Sequence, residues 1–166
     1  DWAMHVKGLE LPGYEPRSLK TMALGLAVST RGACHNRSSA YEADFSAKVN
    51  RLKVDNERGR ITMEGEDFSA VLDSLIWCKF LRKAFHDFYA ESAEIYENVT
   101  GWSMTAKQLN QAGERINNLK KLFNIREGWK RSDDNLPPRV LQESLRGGIV
   151  EGVELTQQDL DMMISS

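Results

Sequence analysis

Two short stretches hold the residues whose types and spacing suit chemistry. In "DSLIWCKF", Asp73 and Cys78 lie five residues apart at the end of an apolar run. A carboxylate there can accept hydrogen bonds from a polar ligand, and a cysteine thiolate can ligate iron or zinc. The same pattern also suits a capped helix end with a core cysteine, because a lone buried Cys usually acts as a small apolar residue. Five residues exceed the i,i+4 spacing of one helical face, so the two side chains share a cavity only where the helix loosens near Ile76. In "RGACHNR", Arg31, His35 and Arg37 cluster within seven residues. Arginines suit phosphates, and a histidine can move a proton near neutral pH; on residue type alone, His35 reads first as a polar loop residue. His5 and His86 share no metal-ligand spacing with each other or with the cysteines, which argues against a zinc site.

The composition narrows the classes. The 166 residues are 41% hydrophobic and 28% charged, with a formal net charge of −2. Neither a basic surface for nucleic acid nor an acidic interaction arm is indicated. The longest apolar run, Met22 to Val28, is too short to span a bilayer, and no basic region precedes an apolar segment as in a secretory signal. Cys34 and Cys78, the two cysteines, give no disulfide framework, which fits a cytoplasmic protein. On that reading the glycosylation patterns at Asn36 and Asn98 are chance matches. The length suits one domain, residues 1–166. The first residues read like the middle of a longer chain.

The elements that must position these residues are nearly all helical, so the expected class is all-α with at most short strands near the C-terminus. "GLELPGYEPRS" is a loop, and Leu19 to Thr30 forms a buried helix whose small residues allow close approach. Residues 41–58 are ambiguous. Ile61, Phe68, Val71, Leu72 and Leu75 recur at helical spacing and predict a helix over about 60–77, with Glu64 and Asp67 outward. A second helix is expected from Leu81 to Asn98. Thr105 and Gln108 form a capping box for a helix reaching about Asn124, with Leu109, Ala112, Ile116, Leu119 and Phe123 on one face. On this helix Lys120 and Lys121 read as part of a solvated or domain-facing surface, and Trp102 and Trp129 as packing residues beside it. Pro137 and Pro138 enforce a loop before them. Val140 to Leu145 forms a short helix, "GGIVEGVEL" a turn with one short strand, and "TQQDLDMMI" a capped terminal helix.

Five blocks then resemble, in order, the C-terminal domain of the tungsten- or molybdenum-containing aldehyde ferredoxin oxidoreductase family. They are "KGLELPGYEPR", "MALGLAVSTRGACHNR", "VLDSLIWCKF", "TGWSMTAKQLNQAGERINNLKKLFNIREGW" and "RSDDNLPPRVLQESL", and they cover most of the chain. The resemblance implies that Asp73 and Cys78 belong to a D-x-x-G-L-C-type motif. Its aspartate binds one pterin of a bis-pterin, molybdopterin-type metal cofactor, and its cysteine is the fourth ligand of a [4Fe-4S] cluster. Here Ile76 stands at the glycine position and Trp77 at the leucine position. Trp77 is counted with Arg31, Arg37 and Asp73 among the implied cofactor-binding residues. Arg37 stands where the family carries a lysine, and His35 where it carries a histidine beside the metal, the implied catalytic residue. Cys34 has no implied role.

The function so implied is oxidation of an aldehyde to a carboxylic acid with ferredoxin as electron acceptor. The other three cluster ligands and the first pterin motif find no match here. The chain is therefore expected to work as the C-terminal part of a longer enzyme, with the N-terminal domains of the same chain as partner and a homodimer allowed. Alone it is expected to be inactive and to bind neither cofactor. Two other readings remain open: the same scaffold acting on a sugar-phosphate aldehyde or an aromatic thioester, and a helical binding or assembly module without catalysis.

Overall fold

The computed structural model describes residues 3–165. The mostly helical class holds, with eight α-helices among the described residues. Two strands, β1 (His5–Val6) and β2 (Leu9–Glu10), form an antiparallel hairpin with Val6 opposite Leu9. They lie at the N-terminal end of the chain, whereas residues 147–152, near the C-terminus, form turns rather than the expected strand. The hairpin turn places Lys7 and Gly8 at positive φ, the pattern whose twist suits a two-residue connection.

Helix α1 (Lys20–Val28) is buried over eight of its nine residues. Its N-terminus is satisfied from the segment that sequence left ambiguous. The Asp44 carboxylate, in α3 (Tyr41–Asp44), accepts from the backbone N–H groups of Thr21 at 3.3 Å and Met22 at 2.9 Å. Buried Arg58 donates to Thr21 Oγ1 at 2.8 Å and lies 3.8 Å from Asp44. Side chains of α1 form one apolar cluster with Val6, Leu136, Val140, Leu155, Leu160 and Met163. The last two come from α8 (Gln157–Ile164), whose capping box joins Thr156 and Asp159.

Helix α4 (Glu57–Ser74) packs against α1, α2 (His35–Ser38) and α6 (Ala106–Arg126). Its Val71 and Leu72 join Phe88, Ala93 and Leu109 in a second apolar cluster. Glycines permit the close approaches. A Cβ at Gly65 would lie well under 3.0 Å from the Ser38 carbonyl oxygen, and one at Gly113 equally close to that of Asp67. Because α6 presses there, Asp67 is buried and accepts from Asn117 at 2.9 Å, not outward-facing as its spacing suggested.

The expected helix from Leu81 to Asn98 is in fact two pieces. A 3-10 turn covers Lys79–Lys83, and α5 runs Phe88–Thr100. Asp87 accepts from Ala90 N–H at 3.1 Å, and Glu91 accepts from the N–H groups of His86 and Asp87, both at 2.7 Å. This capping fixes a helix start where periodicity alone showed a continuous segment. A short helix, α7 (Pro138–Gln142), leads towards α8. Trp129 packs beneath the Lys7 ammonium, 4.9 Å from its ring centroid. Trp102 is 71% exposed and does not pack as expected, since α5 ends at Gly101 in a left-handed cap that projects the following residue outward.

Candidate functional site

Helix α4 ends in a turn that decides where Asp73 and Cys78 go. Ile76 N–H donates to Asp73 O at 3.2 Å and Trp77 N–H to Leu72 O at 3.0 Å. This is the paired bonding of a Schellman cap, with Ile76 at φ 59 in the position glycine favours. The backbone thus takes the left-handed step even though a β-branched residue stands there. Asp73 remains in the last helical turn, and Cys78 emerges beyond it with an exposed, free thiol. The strain makes a prediction. A left-handed non-glycine residue costs about 1–2 kcal/mol, and Ile76 is 90% exposed, so its side chain contributes little burial. Glycine gives back about 0.5–1 kcal/mol through a looser unfolded chain. Ile76→Gly is therefore expected to stabilise by about 0.5–1 kcal/mol, read as a higher urea midpoint. A lower midpoint contradicts the strain argument.

The "RGACHNR" loop is aimed by the end of α1. Lys7 Nζ donates to the carbonyls of Ala27 at 2.6 Å and Ser29 at 3.1 Å while pairing with Asp134 at 2.7 Å. Asn124 of α6 donates to Thr30 O at 2.8 Å. From this anchored turn Arg31 and Arg37 both reach one hollow of about 410 Å³, with Lys120, Leu119, Phe123 and Asn124 on its other side. That volume lies in the range of ordinary ligand pockets. Arg37 Nη1 lies 3.2 Å from Asp73 Oδ2, joining the two motifs across 36 residues. Lys79, next to Cys78, donates to Asn36 O at 2.7 Å and to Ser69 Oγ at 3.2 Å. Lys79 thus ties the 3-10 turn after α4 to both α2 and α4, beside the Arg37–Asp73 pair.

His35 is not in this hollow. Two residues along a helical turn point in nearly opposite directions, and His35 faces aromatics where Arg37 faces Asp73. Its ring centroid is 5.5 Å from Tyr14 and 5.7 Å from Tyr41. Burial, then the Lys79 charge, hold the imidazole below its ordinary pKa, so the ring is neutral at neutral pH and free to accept a proton. Trp77 turns into the second apolar cluster, 5.4 Å from Phe85, with its indole N–H buried and lacking a hydrogen-bond partner. Cys34 is half-buried, with Arg31 Nη1 at 4.0 Å from its sulfur.

The residues present fit a phosphate-bearing cofactor. Arginines face a hollow, and Asp73, paired with one of them, is open to solvent beside them. Among the described residues no three His, Cys, Asp or Glu side chains cluster as a metal site requires. Sequence reasoning missed Lys79, Tyr14, Tyr41 and Lys120. The one signal for Lys120 was that Leu119 and Phe123, on either side of it, stay apolar although they are 67% and 53% exposed.

A family model described as aldehyde ferredoxin oxidoreductase, domains 2 and 3, matches residues 1–166. The chain is similar to proteins named tungsten-containing aldehyde ferredoxin oxidoreductase. The protein of Pyrococcus furiosus is 30% identical over 154 residues, covering 90% of this chain and 25% of that protein. The protein of Thermococcus kodakarensis is 29% identical over 160 residues, covering 92% and 26%. The protein of Pyrococcus abyssi is 28% identical over 160 residues, covering 92% and 25%. The chain thus spans about a quarter of the length of these relatives. No helix among the described residues is long and apolar enough to cross a membrane.

Proposed function

We propose that this chain, which belongs to the aldehyde ferredoxin oxidoreductase family, is the C-terminal part of a longer enzyme and walls one side of its tungsten–pterin site. The enzyme would oxidise an aldehyde and water to a carboxylic acid, two protons and two electrons, with ferredoxin taking the electrons. The observation that carries the reading is the Arg37–Asp73 pair at 3.2 Å. Two motifs remote in sequence meet at the rim of one cationic hollow, as a shared site requires. When bound, the tungsten–pterin group would supply the oxygen and two-electron chemistry, and a [4Fe-4S] cluster would carry electrons outward singly. The names of the relatives favour tungsten over molybdenum.

Within this reading Arg31 and Arg37 bind the cofactor's phosphates, and Asp73 accepts hydrogen bonds from pterin nitrogens while its charge keeps Arg37 in place. Trp77 supports the turn through its packing against Phe85 in the second apolar cluster, and its buried indole N–H does not reach the hollow. Cys78 presents its thiol as one cluster ligand, and the N-terminal part of the full chain supplies the remainder. His35, neutral and flanked by Tyr14 and Tyr41, accepts a proton released on oxidation. The exposed apolar side chains of α6 outside the hollow, Leu122 and Ile125, suit coverage by those N-terminal domains. Two free thiols fit a cytoplasmic enzyme.

The test is metal analysis and turnover of the full-length protein grown with tungstate. Tungsten, iron and sulfide are expected in the purified protein, together with aldehyde-dependent reduction of ferredoxin or a viologen dye. A full-length protein containing neither tungsten nor iron would leave the non-catalytic assembly module as the better reading.

A further inference from the structure

Three cations converge on the hollow between the "RGACHNR" turn and α6: Arg31, Arg37 and Lys120. One of them, Arg37, has a carboxylate partner, Asp73. Among the described residues, the Lys120 ammonium has neither a hydrogen bond nor an ion pair, and the Arg31 guanidinium has only the weak Cys34 sulfur contact at 4.0 Å. We propose that Lys120 is a third binding cation of this site and that the hollow takes a phosphate group held by Arg31, Arg37 and Lys120 together.

The charge balance favours this ligand class. Three cations against one carboxylate leave two positive charges unmatched, which a phosphate of charge −1.5 to −2 at neutral pH would neutralise. A simple carboxylate would leave one of them. The guanidinium forks and the ammonium point charge are the two chemistries proteins use for phosphate oxygens. Burial, then the Arg37 charge, hold the Lys120 ammonium below the ordinary lysine range, while Asp73 and Glu66 act the other way. Lys120 is thus close enough to feel both members of the Arg37–Asp73 pair. Glu66 acts on Lys120 less than Asp73 does, and burial pushes its own carboxyl up to about 7, so it offsets little of this charge. The exposed Leu119 and Phe123 give the phosphate's carrier an apolar surface. The family reading assigns no role to Lys120; the present inference uses that reading to locate the site, while the charge argument stands apart from it.

Two sources share this chemistry: a phosphate of the resident pterin cofactor and the phosphate of a sugar-phosphate aldehyde substrate. The experiment uses the full-length protein with Lys120→Ala and Lys120→Arg. Cofactor-free protein is titrated with inorganic pyrophosphate by calorimetry. Wild type and Lys120→Arg are expected to bind, and Lys120→Ala to bind about tenfold more weakly, the effect of losing one charge-assisted contact. Protein grown with tungstate is then assayed for tungsten and for KM with a phosphorylated and an uncharged aldehyde. A fall in tungsten for Lys120→Ala alone assigns the phosphate to the cofactor. Unchanged tungsten with a raised KM for the phosphorylated aldehyde alone assigns it to the substrate. Pyrophosphate binding, tungsten and both KM values all unchanged in Lys120→Ala would overturn the proposal. Wild type that lacks tungsten yet binds pyrophosphate through Lys120 would sink the enzyme reading and leave this inference standing.

Discussion

Cys78→Ala in the full-length protein is expected to lose most of its iron and sulfide while the fold stays intact. The thiol is exposed and free, just beyond the left-handed turn at Ile76, and no apolar cluster includes it. Removing it leaves no cavity, so the folding cost should stay within about 0.5 kcal/mol, as for other surface substitutions. A cluster held by four thiolates, by contrast, loses one bond of four. Cys34→Ala is the control, since Cys34 is half-buried beside Arg31 and should leave the iron in place. Iron and sulfide equal to wild type in Cys78→Ala would remove Cys78 from the ligand set. A protein that fails to fold would show that the thiol was structural after all.

Gly65→Ala is expected to destabilise the fold although it adds a single methyl to a helix. In an isolated helix the change gains up to about 1 kcal/mol. In this protein the added carbon would sit well under 3.0 Å from the Ser38 carbonyl oxygen. That atom is backbone and cannot rotate away, so α2 and α4 must separate. Overpacking of this kind costs about 1–3 kcal/mol and sometimes more, so the strain outweighs the propensity. A net loss of about 2 kcal/mol is a large share of a total stability of about 5–15 kcal/mol. Because the separation also pulls Arg37 from Asp73, the Gly65→Ala protein should lose cofactor affinity at temperatures where it is still folded. Urea denaturation followed by tryptophan fluorescence measures the first effect. A variant more stable than wild type would show that the two helices have room to spare.

Local signals in the sequence were enough for the helices that carry them. Thr105 and Gln108 fixed the start of α6, Thr156 opened α8 with its own capping box, and the apolar spacing from Phe68 to Leu72 marked α4. What stayed hidden depends on partners far away in the chain. Asp44 is unremarkable in its own segment, and its role follows from capping α1 more than twenty residues earlier. Asp67 read as outward because nothing local announces that Gly113 brings α6 onto it. In the site, residue types singled out Arg31, Arg37, Asp73 and Cys78. The pairing of Arg37 with Asp73 and the aromatic setting of His35 needed the fold. Lys120 looked like one more surface lysine because its neighbours Arg31 and Arg37 come from a loop about ninety residues away.

Ser38 sits where two glycines converge, but it blocks them with different atoms. Against Gly65 it presents its main-chain oxygen, and against Gly25 its hydroxyl and Cβ. Descendants of this sequence therefore face two kinds of constraint at one crowded point. Position 65 is closed to every larger residue whatever stands at position 38, since all residues share that oxygen. Position 25 is closed only conditionally, because loss of the Ser38 side chain to glycine would open it. The order of change then matters: serine must go first, at the expense of the hydrogen bond its hydroxyl accepts from Ala40 N–H, before a larger residue at 25 can be accepted. Among related chains, positions 25 and 38 should drift as a pair, with position 65 fixed beside them.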